Sequence, residues 1–192
     1  MITITKETSV NINVDGCSLI RNAKKIGKGR FATVYSSGLF VCAFVKDCQM
    51  KEAISLWGDQ ENPHVPKIKK LGEGKNDTMV YQMPVYHKLT ASNKTAWSQY
   101  KELQNIWSQV CQQSTRRTQG MIDSQHFCDL VDDSKVLTDD LKEAFRNIVD
   151  CGLNYGDTIC VEIAPRNLMV DDKGNLILLD ILFDSKLLPW MK

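Results

Sequence analysis

The sequence lacks several features that would settle its class at once. No apolar run approaches the roughly 18 residues that a membrane-spanning helix needs, and the first residues, with Lys6 and Glu7 among alternating polar and apolar positions, do not resemble a signal peptide. An excess of one charge is also missing, because 24 basic and 23 acidic residues leave a net charge of +1. We therefore expect a cytoplasmic protein that binds neither a membrane nor a nucleic acid.

Cysteine motifs are missing as well. The seven cysteines are an odd number, none form a C-x-x-C pair, and no pair of histidines accompanies them. This pattern argues against both a disulfide framework and a zinc site, and it favours free thiols in a reducing compartment. What the sequence does have is 43% hydrophobic and 24% charged residues over 192 positions, which is enough for one core or two small lobes.

A hairpin is predicted near the C-terminal end of the sequence. The apolar runs Leu168–Val170 and Leu176–Leu179 flank residues 171–175, whose aspartates, glycine and asparagine are typical of a turn. A hairpin closed there brings its outer ends together, so we expect Asn167 and Asp180 to lie side by side. An amide oxygen and a carboxylate in this arrangement can hold Mg²⁺, which prefers oxygen ligands and takes few of them from protein.

The spacing of these residues resembles the catalytic loop H-R-D-x-x-x-x-N and the D-F-G segment of protein kinases. Glu162 precedes Asn167 by five residues, and Asp180 follows Asn167 by thirteen. The resemblance implies that Asn167 and Asp180 bind Mg²⁺ and that Glu162 acts as the catalytic base.

The sequence departs from the kinase pattern at three points. Val161 and Glu162 stand where the family has arginine and aspartate, and Asp-Ile-Leu beginning at Asp180 replaces D-F-G. Glutamate is one methylene longer than aspartate, so its carboxylate sits farther from the backbone than in the family. The basic residue Arg166 is expected to form a salt bridge with a neighbouring acidic residue.

Residues 27–34 resemble the Gly-rich loop G-x-G-x-x-G-x-V of kinases, with alanine in place of the third glycine. Glycines allow the backbone to approach phosphate oxygens closely and to present N–H groups to them. The resemblance implies that this hairpin contacts ATP through Gly27, Gly29, Phe31, Ala32 and Val34.

A candidate lysine follows on the next predicted strand, Leu39–Lys46, whose last four residues resemble the kinase V-A-I-K. The resemblance implies that Lys46 binds the ATP phosphates and pairs with Glu52, which lies on a helix predicted over Met50–Trp57. An alignment centred on the strand puts Cys42 at the lysine position instead. Because side chains alternate along a strand, both residues lie on one face, and the pattern leaves the two alternatives open.

The remaining pattern predicts a mixture of strands and helices. Alternating residues predict one or two strands between Ile2 and Val14. The further elements are a hairpin of Val65–Leu71 and Thr78–Val85, a helix over Ser92–Gln113 capped by Ser92, an irregular segment over Ser114–Val131, and a helix that begins after Thr138 as its N-cap.

These elements follow one another in kinase order, and the expected fold is α+β, a two-lobe protein-kinase-like fold. We expect an N-lobe over residues 1–86, with an antiparallel sheet and one small helix, and a helical C-lobe over residues 87–192. Only residues 181–192 follow Asp180, so the C-lobe is expected to be truncated and to lack the usual peptide-binding platform. More narrowly, the sequence resembles small kinase-like proteins of tailed bacteriophages, which implies action on host proteins in the host cell cytoplasm.

Two functions follow from this resemblance. One is an ATP- and Mg²⁺-dependent phosphotransferase that acts on serine or threonine of a host protein. The other is an inactive pseudokinase that binds a host protein and inhibits or redirects it. The apolar stretch Leu187–Met191 is a candidate contact for a partner or for a homodimer.

Overall fold

The computed structural model of the chain describes residues 10–14, 17–29, 32–46, 49–74, 78–113, 121–156 and 158–185. The chain is α+β and divides into two compact units, one formed by residues 1–55 and 67–85 and the other by residues 56–66 and 86–192. The division at 85/86 lies within one residue of the predicted boundary. Residues 56–66 differ from the prediction, because they group with the second unit.

In its described residues, the first unit contains a six-stranded antiparallel sheet and most of one helix. Its strands lie in the order β1-β2-β3-β4-β6-β5. The elements are β1 (Val10–Val14), β2 (Cys17–Lys28), β3 (Ala32–Ser36), β4 (Phe40–Val45), helix α1 (Gln49–Trp57), β5 (Lys69–Glu73) and β6 (Met79–Pro84). The predicted strands before residue 10 lie outside the described residues.

Strand β4 is central and is buried on both faces of the sheet. Cys42 and Phe44 face a cluster that also contains Ala23 and Val80, with Tyr35 packed against it. The intervening residues of β4 on the opposite face are buried too. Double-sided burial explains why this strand is a continuous apolar run without alternation.

The described part of the second unit contains three long helices and two small antiparallel sheets. Its helices are α2 (Lys94–Gln113), α3 (Met121–Asp133) and α4 (Asp139–Leu153), and its strands are β7 (His87–Lys88), β8 (Ile159–Val161), β9 (Met169–Val170), β10 (Leu176–Ile177) and β11 (Leu182–Asp184). Strand β9 pairs with both β10 and β7, and β11 pairs with β8. None of the helices in the described part of the chain is long and apolar enough to cross a membrane.

Helix α4 begins as the sequence predicts. The hydroxyl of Thr138 accepts a hydrogen bond from the backbone N–H of Leu141 at 3.4 Å, so Thr138 is the N-cap. Asp139 and Asp140 occupy the first turn, where negative charge is favourable beside the helix N-terminus. One side of the helix, including Leu141 and Phe145, is fully buried.

The prediction of irregular structure over Ser114–Val131 is wrong from residue 121 onward, because Met121–Asp133 is helical. The buried side of α3 includes Ser124, Cys128 and Val131, together with Phe127. Two of these residues are small or polar, so the apolar stripe is weak in the sequence. Burial against α4 stabilises the helix nonetheless, as the rings of Phe127 and Phe145 lie 4.7 Å apart.

Two predicted boundaries also differ from the structure. Helix α2 begins at Lys94, so its cap position is Asn93 and not Ser92. The Ser92 hydroxyl is hydrogen-bonded to that of Thr90 at 2.7 Å. The strand predicted from Val65 begins only at Lys69. Val65 is instead fully buried and belongs to residues 56–66, which are part of the second unit.

Residues 56–66 belong to the second unit because their polar groups are bonded within it. The Asn62 amide donates to the carbonyl of Asp140 at 2.8 Å. His64 Nδ1 donates to the carbonyl of Leu176 at 2.7 Å, and the His64 carbonyl accepts from the N–H of Leu178 at 3.1 Å. Both Asn62 and His64 are buried, so these bonds replace lost contacts with water and fix the strand that leads to Asp180.

Candidate functional site

The hairpin β9–β10 carries the candidate site. Its strands pair antiparallel with Leu176 opposite Val170, as the sequence predicts. The Asp171 carboxylate closes the turn by accepting hydrogen bonds from the N–H groups of Lys173 and Asn175 at 2.9 and 2.8 Å. Gly174 has a φ of 89°, a left-handed conformation that favours glycine.

Asn167 and Asp180 lie side by side at the open end of this hairpin. The backbone N–H of Asp180 donates to the carbonyl of Asn167 at 3.0 Å, which confirms the proximity expected from the sequence. Asn167 belongs to a short 3₁₀ helix, Pro165–Asn167, and is buried, whereas Asp180 is exposed. The structure therefore brings an amide and a carboxylate together where the chain enters and leaves the hairpin.

Glu162 joins this pair through its backbone and its side chain. The Glu162 N–H donates to the carbonyl of Ile181 at 2.8 Å, next to the pairing of β8 with β11. The side-chain amide nitrogen of Asn167 donates to the Glu162 carbonyl at 3.2 Å and to Glu162 Oε2 at 3.0 Å. Because both bonds use Asn167 Nδ2, Oδ1 is the Asn167 atom that can ligate a cation.

Arg166 forms the expected salt bridge with an acidic neighbour, Glu162. Its Nη2 lies 2.5 Å from Glu162 Oε1, and its side chain is 71% exposed. The 3₁₀ turn that begins at Pro165 brings these two residues together across four positions. The Glu162 carboxylate thus accepts from Arg166 with one oxygen and from Asn167 with the other.

The donor set fits Mg²⁺ better than a transition metal. Asp180 offers a carboxylate and Asn167 an amide oxygen, and both are hard oxygen ligands. No cluster of three or more histidine, cysteine, aspartate or glutamate side chains in the described segments could hold a metal ion by itself. The residues therefore suit a cation that takes its remaining ligands from phosphate and water.

Comparisons with known proteins do not assign a family. No family model matches this chain, and no curated protein is significantly similar to it. Any assignment of function therefore depends on the geometry of the residues and on the resemblance of their spacing to the kinase motifs.

The predicted Gly-rich loop is a hairpin between β2 and β3. Gly27 lies opposite Val34, and the N–H of Gly29 donates to the carbonyl of Ala32 at 2.8 Å. Phe31, the remaining candidate here, lies outside the described residues. Ala32 and Val34 are half-buried.

Neither Gly27 nor Gly29 is required by the conformation of the hairpin. Both lie outside the left-handed region of φ, and an added Cβ would be 3.9 Å from its nearest heavy atom at either position. These distances are ordinary contacts. Glycine at the two positions therefore suits a close approach from outside the hairpin, as a phosphate group would make.

The structure does not bring together the predicted pair of Lys46 and Glu52. The carboxylate of Glu52 instead accepts from Lys70 Nζ at 2.5 Å, and Lys46 is an exposed residue just after β4. The alternative position, Cys42, is fully buried, and desolvation raises its pKa to about 11. Lys70 is not identified from the sequence, where its only signal is a pair of lysines near the end of the predicted strand Val65–Leu71.

Proposed function

We propose that this protein is a kinase-like phosphotransferase that transfers the γ-phosphoryl group of ATP, with Mg²⁺, to serine or threonine of a host protein. The observation that carries the proposal is the hydrogen bond from the Asp180 N–H to the Asn167 carbonyl at 3.0 Å, with Glu162 bonded to the Asn167 amide. Two candidate metal ligands and a candidate base are therefore neighbours in one polar cluster, in the order along the chain that the kinase resemblance implies.

The composition of the two units supports the same proposal. The first unit has an antiparallel sheet with one small helix and a Gly-containing hairpin, as the resemblance implies for an N-lobe. The second unit has the helices and the site hairpin that the resemblance implies for a reduced C-lobe. Glycine at Gly27 and Gly29, where the backbone tolerates a side chain, supports a role in phosphate binding.

In this proposal the residues mainly orient the reactants and balance their charge. Asn167 Oδ1 and the Asp180 carboxylate hold the metal ion, which, when bound, neutralises negative charge on the phosphates. Glu162 keeps the Asn167 amide in the orientation that presents Oδ1.

The transfer step breaks the bond between the γ-phosphorus and the oxygen that bridges to the β-phosphate. A new bond forms between that phosphorus and the acceptor hydroxyl oxygen, ADP leaves with the bridging oxygen, and the hydroxyl proton passes to the Glu162 carboxylate. A carboxylate has about four acceptor positions. Glu162 uses one from Arg166 and one from Asn167, so it retains the capacity to accept this proton.

Transfer of label from γ-labelled ATP tests the proposal, with a host-cell protein extract as acceptor. We expect labelling by the wild-type protein that requires Mg²⁺ and disappears in Asp180→Ala. Glu162→Gln keeps an acceptor for the Asn167 amide but loses the base, so it should retain ATP binding and lose transfer. Equal labelling by the wild type and Asp180→Ala would contradict the proposal.

A non-catalytic role is the second candidate, and it is favoured because Lys46 does not pair with Glu52. Glu52 pairs with Lys70, and the Glu162 carboxylate is already paired with Arg166. Both features are compatible with a pseudokinase that binds a host protein without transferring phosphate. In that case the effect of the protein on host cells should survive Asn167→Ala and Asp180→Ala, whereas the phosphotransferase proposal requires both variants to lose it.

A further inference from the structure

Strand register indicates which lysine lies beside the proposed nucleotide site. Residues that lie directly opposite one another on neighbouring strands share a face of the sheet. A row of such pairs runs across five strands and consists of Gly27, Val34, Ala43, Tyr81 and Lys70. Lys70 thus lies on the same face as Val34 and Ala43, although it is far from them in sequence.

Strand register places neither of the two earlier candidates on this face. Cys42 lies opposite Tyr35 and packs in the cluster with Phe44, so alternation turns it away from Val34. Lys46 follows Val45 after the strand has ended, and it is exposed. Strand register therefore places Cys42 on the face opposite Val34 and assigns no face to Lys46.

Lys70 shares this face with Lys24, which lies opposite Ser36, but Lys70 is the lysine that pairs with Glu52. Lys70 Nζ lies 2.5 Å from Glu52 Oε1, and the two side chains are 36% and 30% exposed. This partial burial restrains the ammonium group while leaving it accessible to a ligand. Lys70 and Ala43 are two strands apart, about 10 Å between backbones, a distance that a lysine side chain and a nucleotide triphosphate together can span.

We propose that Lys70, held by Glu52, is the lysine that contacts the phosphates of the bound nucleotide. This inference depends on the proposed nucleotide site, and it replaces Lys46 in the role that the kinase resemblance implies. The catalytic cation then comes from β5 rather than from β4. Glu52 keeps its expected role of orienting a lysine, but with a different partner.

Isothermal titration of Lys70→Met and Lys46→Met with ATP and Mg²⁺, and separately with adenosine, tests the proposal. The two variants are a matched pair, because each removes one exposed lysine from the same unit. Loss of a charged phosphate contact should weaken ATP binding by Lys70→Met about tenfold or more and leave adenosine binding unchanged. Lys46→Met should bind both ligands like the wild type, and Lys70→Arg should retain most of the ATP affinity.

The outcomes distinguish this inference from the proposed function. If the wild type binds no ATP, the proposed function fails and the role of Lys70 fails with it. If the wild type binds ATP but Lys46→Met weakens binding while Lys70→Met does not, the inference alone is overturned. Equal weakening of ATP and adenosine by Lys70→Met would also overturn it, since that result indicates a structural role without phosphate contact.

Discussion

Substitution of Gly27 and Gly29 by alanine tests whether glycine is needed there for the fold or for binding of the nucleotide. An added Cβ at Gly27 would lie 3.9 Å from Val34 Cβ, and at Gly29 it would lie 3.9 Å from the Ala32 carbonyl oxygen. Neither φ is left-handed, so alanine introduces no strain. Each change to alanine should therefore stabilise the fold by about 0.4 to 1 kcal/mol, because it reduces the freedom of the unfolded chain. For a chain of this length that is a rise in Tm of roughly 1 to 4 °C.

Nucleotide affinity should change in the opposite direction. A methyl group at Gly27 or Gly29 keeps phosphate oxygens away from the backbone N–H groups, and a hydrogen bond to a charged group contributes about 1.5 to 3 kcal/mol. Loss of one such bond weakens ATP binding by about tenfold or more. Thermal unfolding without ligand and titration with ATP measure the two effects on the same samples.

Gly38→Ala is the control for this experiment. Gly38 has a φ of 91° and no heavy atom within 4 Å of an added Cβ, so its substitution affects only the backbone and should cost about 1 to 2 kcal/mol. Its ATP affinity should remain that of the wild type. A fall in Tm for Gly27→Ala, or an unchanged ATP affinity in both Gly27→Ala and Gly29→Ala, would refute the reasoning.

Three further predictions concern stability and reactivity. Gly152→Ala places a Cβ 2.8 Å from Leu182 Cδ1. The overpacking should lower the free energy of unfolding by about 1 to 3 kcal/mol, and the better helix propensity of alanine offsets about 1 kcal/mol of this loss. The urea midpoint should therefore fall, and a higher midpoint would contradict the packing. Burial of Asp171 raises its pKa, but the hydrogen bonds from its turn outweigh this and the net pKa is lowered. The wild type should therefore be more stable than Asp171→Ala above the ordinary aspartate pKa of about 3.9, and this difference in stability should shrink as the pH falls below that value. Unfolding of both proteins at pH 3 to 7 measures the difference. A difference that grows in acid would be inconsistent with this prediction. Desolvation raises the pKa of Cys128 to about 12, so at pH 8 iodoacetamide should modify the exposed Cys111 before Cys128 in peptide maps. Equal rates at these two cysteines would contradict the burial of Cys128.

Local signals in the sequence account for what could be predicted. The turn ending at Gly174 and the cap at Thr138 depend on side chains within a few residues of the backbone groups they bind. The same holds for the proximity of Asn167 and Asp180, because a short hairpin with a recognisable turn brings its ends together whatever surrounds it. These features were accessible because the residues that determine them are neighbours in the chain.

Features that depend on distant contacts could not be predicted in this way. The pairing of β8 with β11 involves only three residues of each strand, too few for a pattern of alternation. The partner of Glu52 is set by strand register, which brings Lys70 into place over a separation of 18 residues. Helix α3 is stabilised by burial of small and polar residues such as Ser124, which do not mark a hydrophobic face.

Thermal unfolding with ATP and increasing Mg²⁺ tests most directly whether Asn167 and Asp180 form a metal–nucleotide site. A ligand that binds only the folded state at 100 times its Kd stabilises it by about 2.7 kcal/mol, or roughly 5 to 10 °C in Tm for a chain of this size. We predict such a shift for the wild type and for Asp172→Ala, a control on the same hairpin whose carboxylate is exposed and paired with His87. Asp180→Ala should lose the part of the shift that depends on Mg²⁺. No shift in the wild type, or an equal Mg²⁺-dependent shift in Asp180→Ala, would contradict the site.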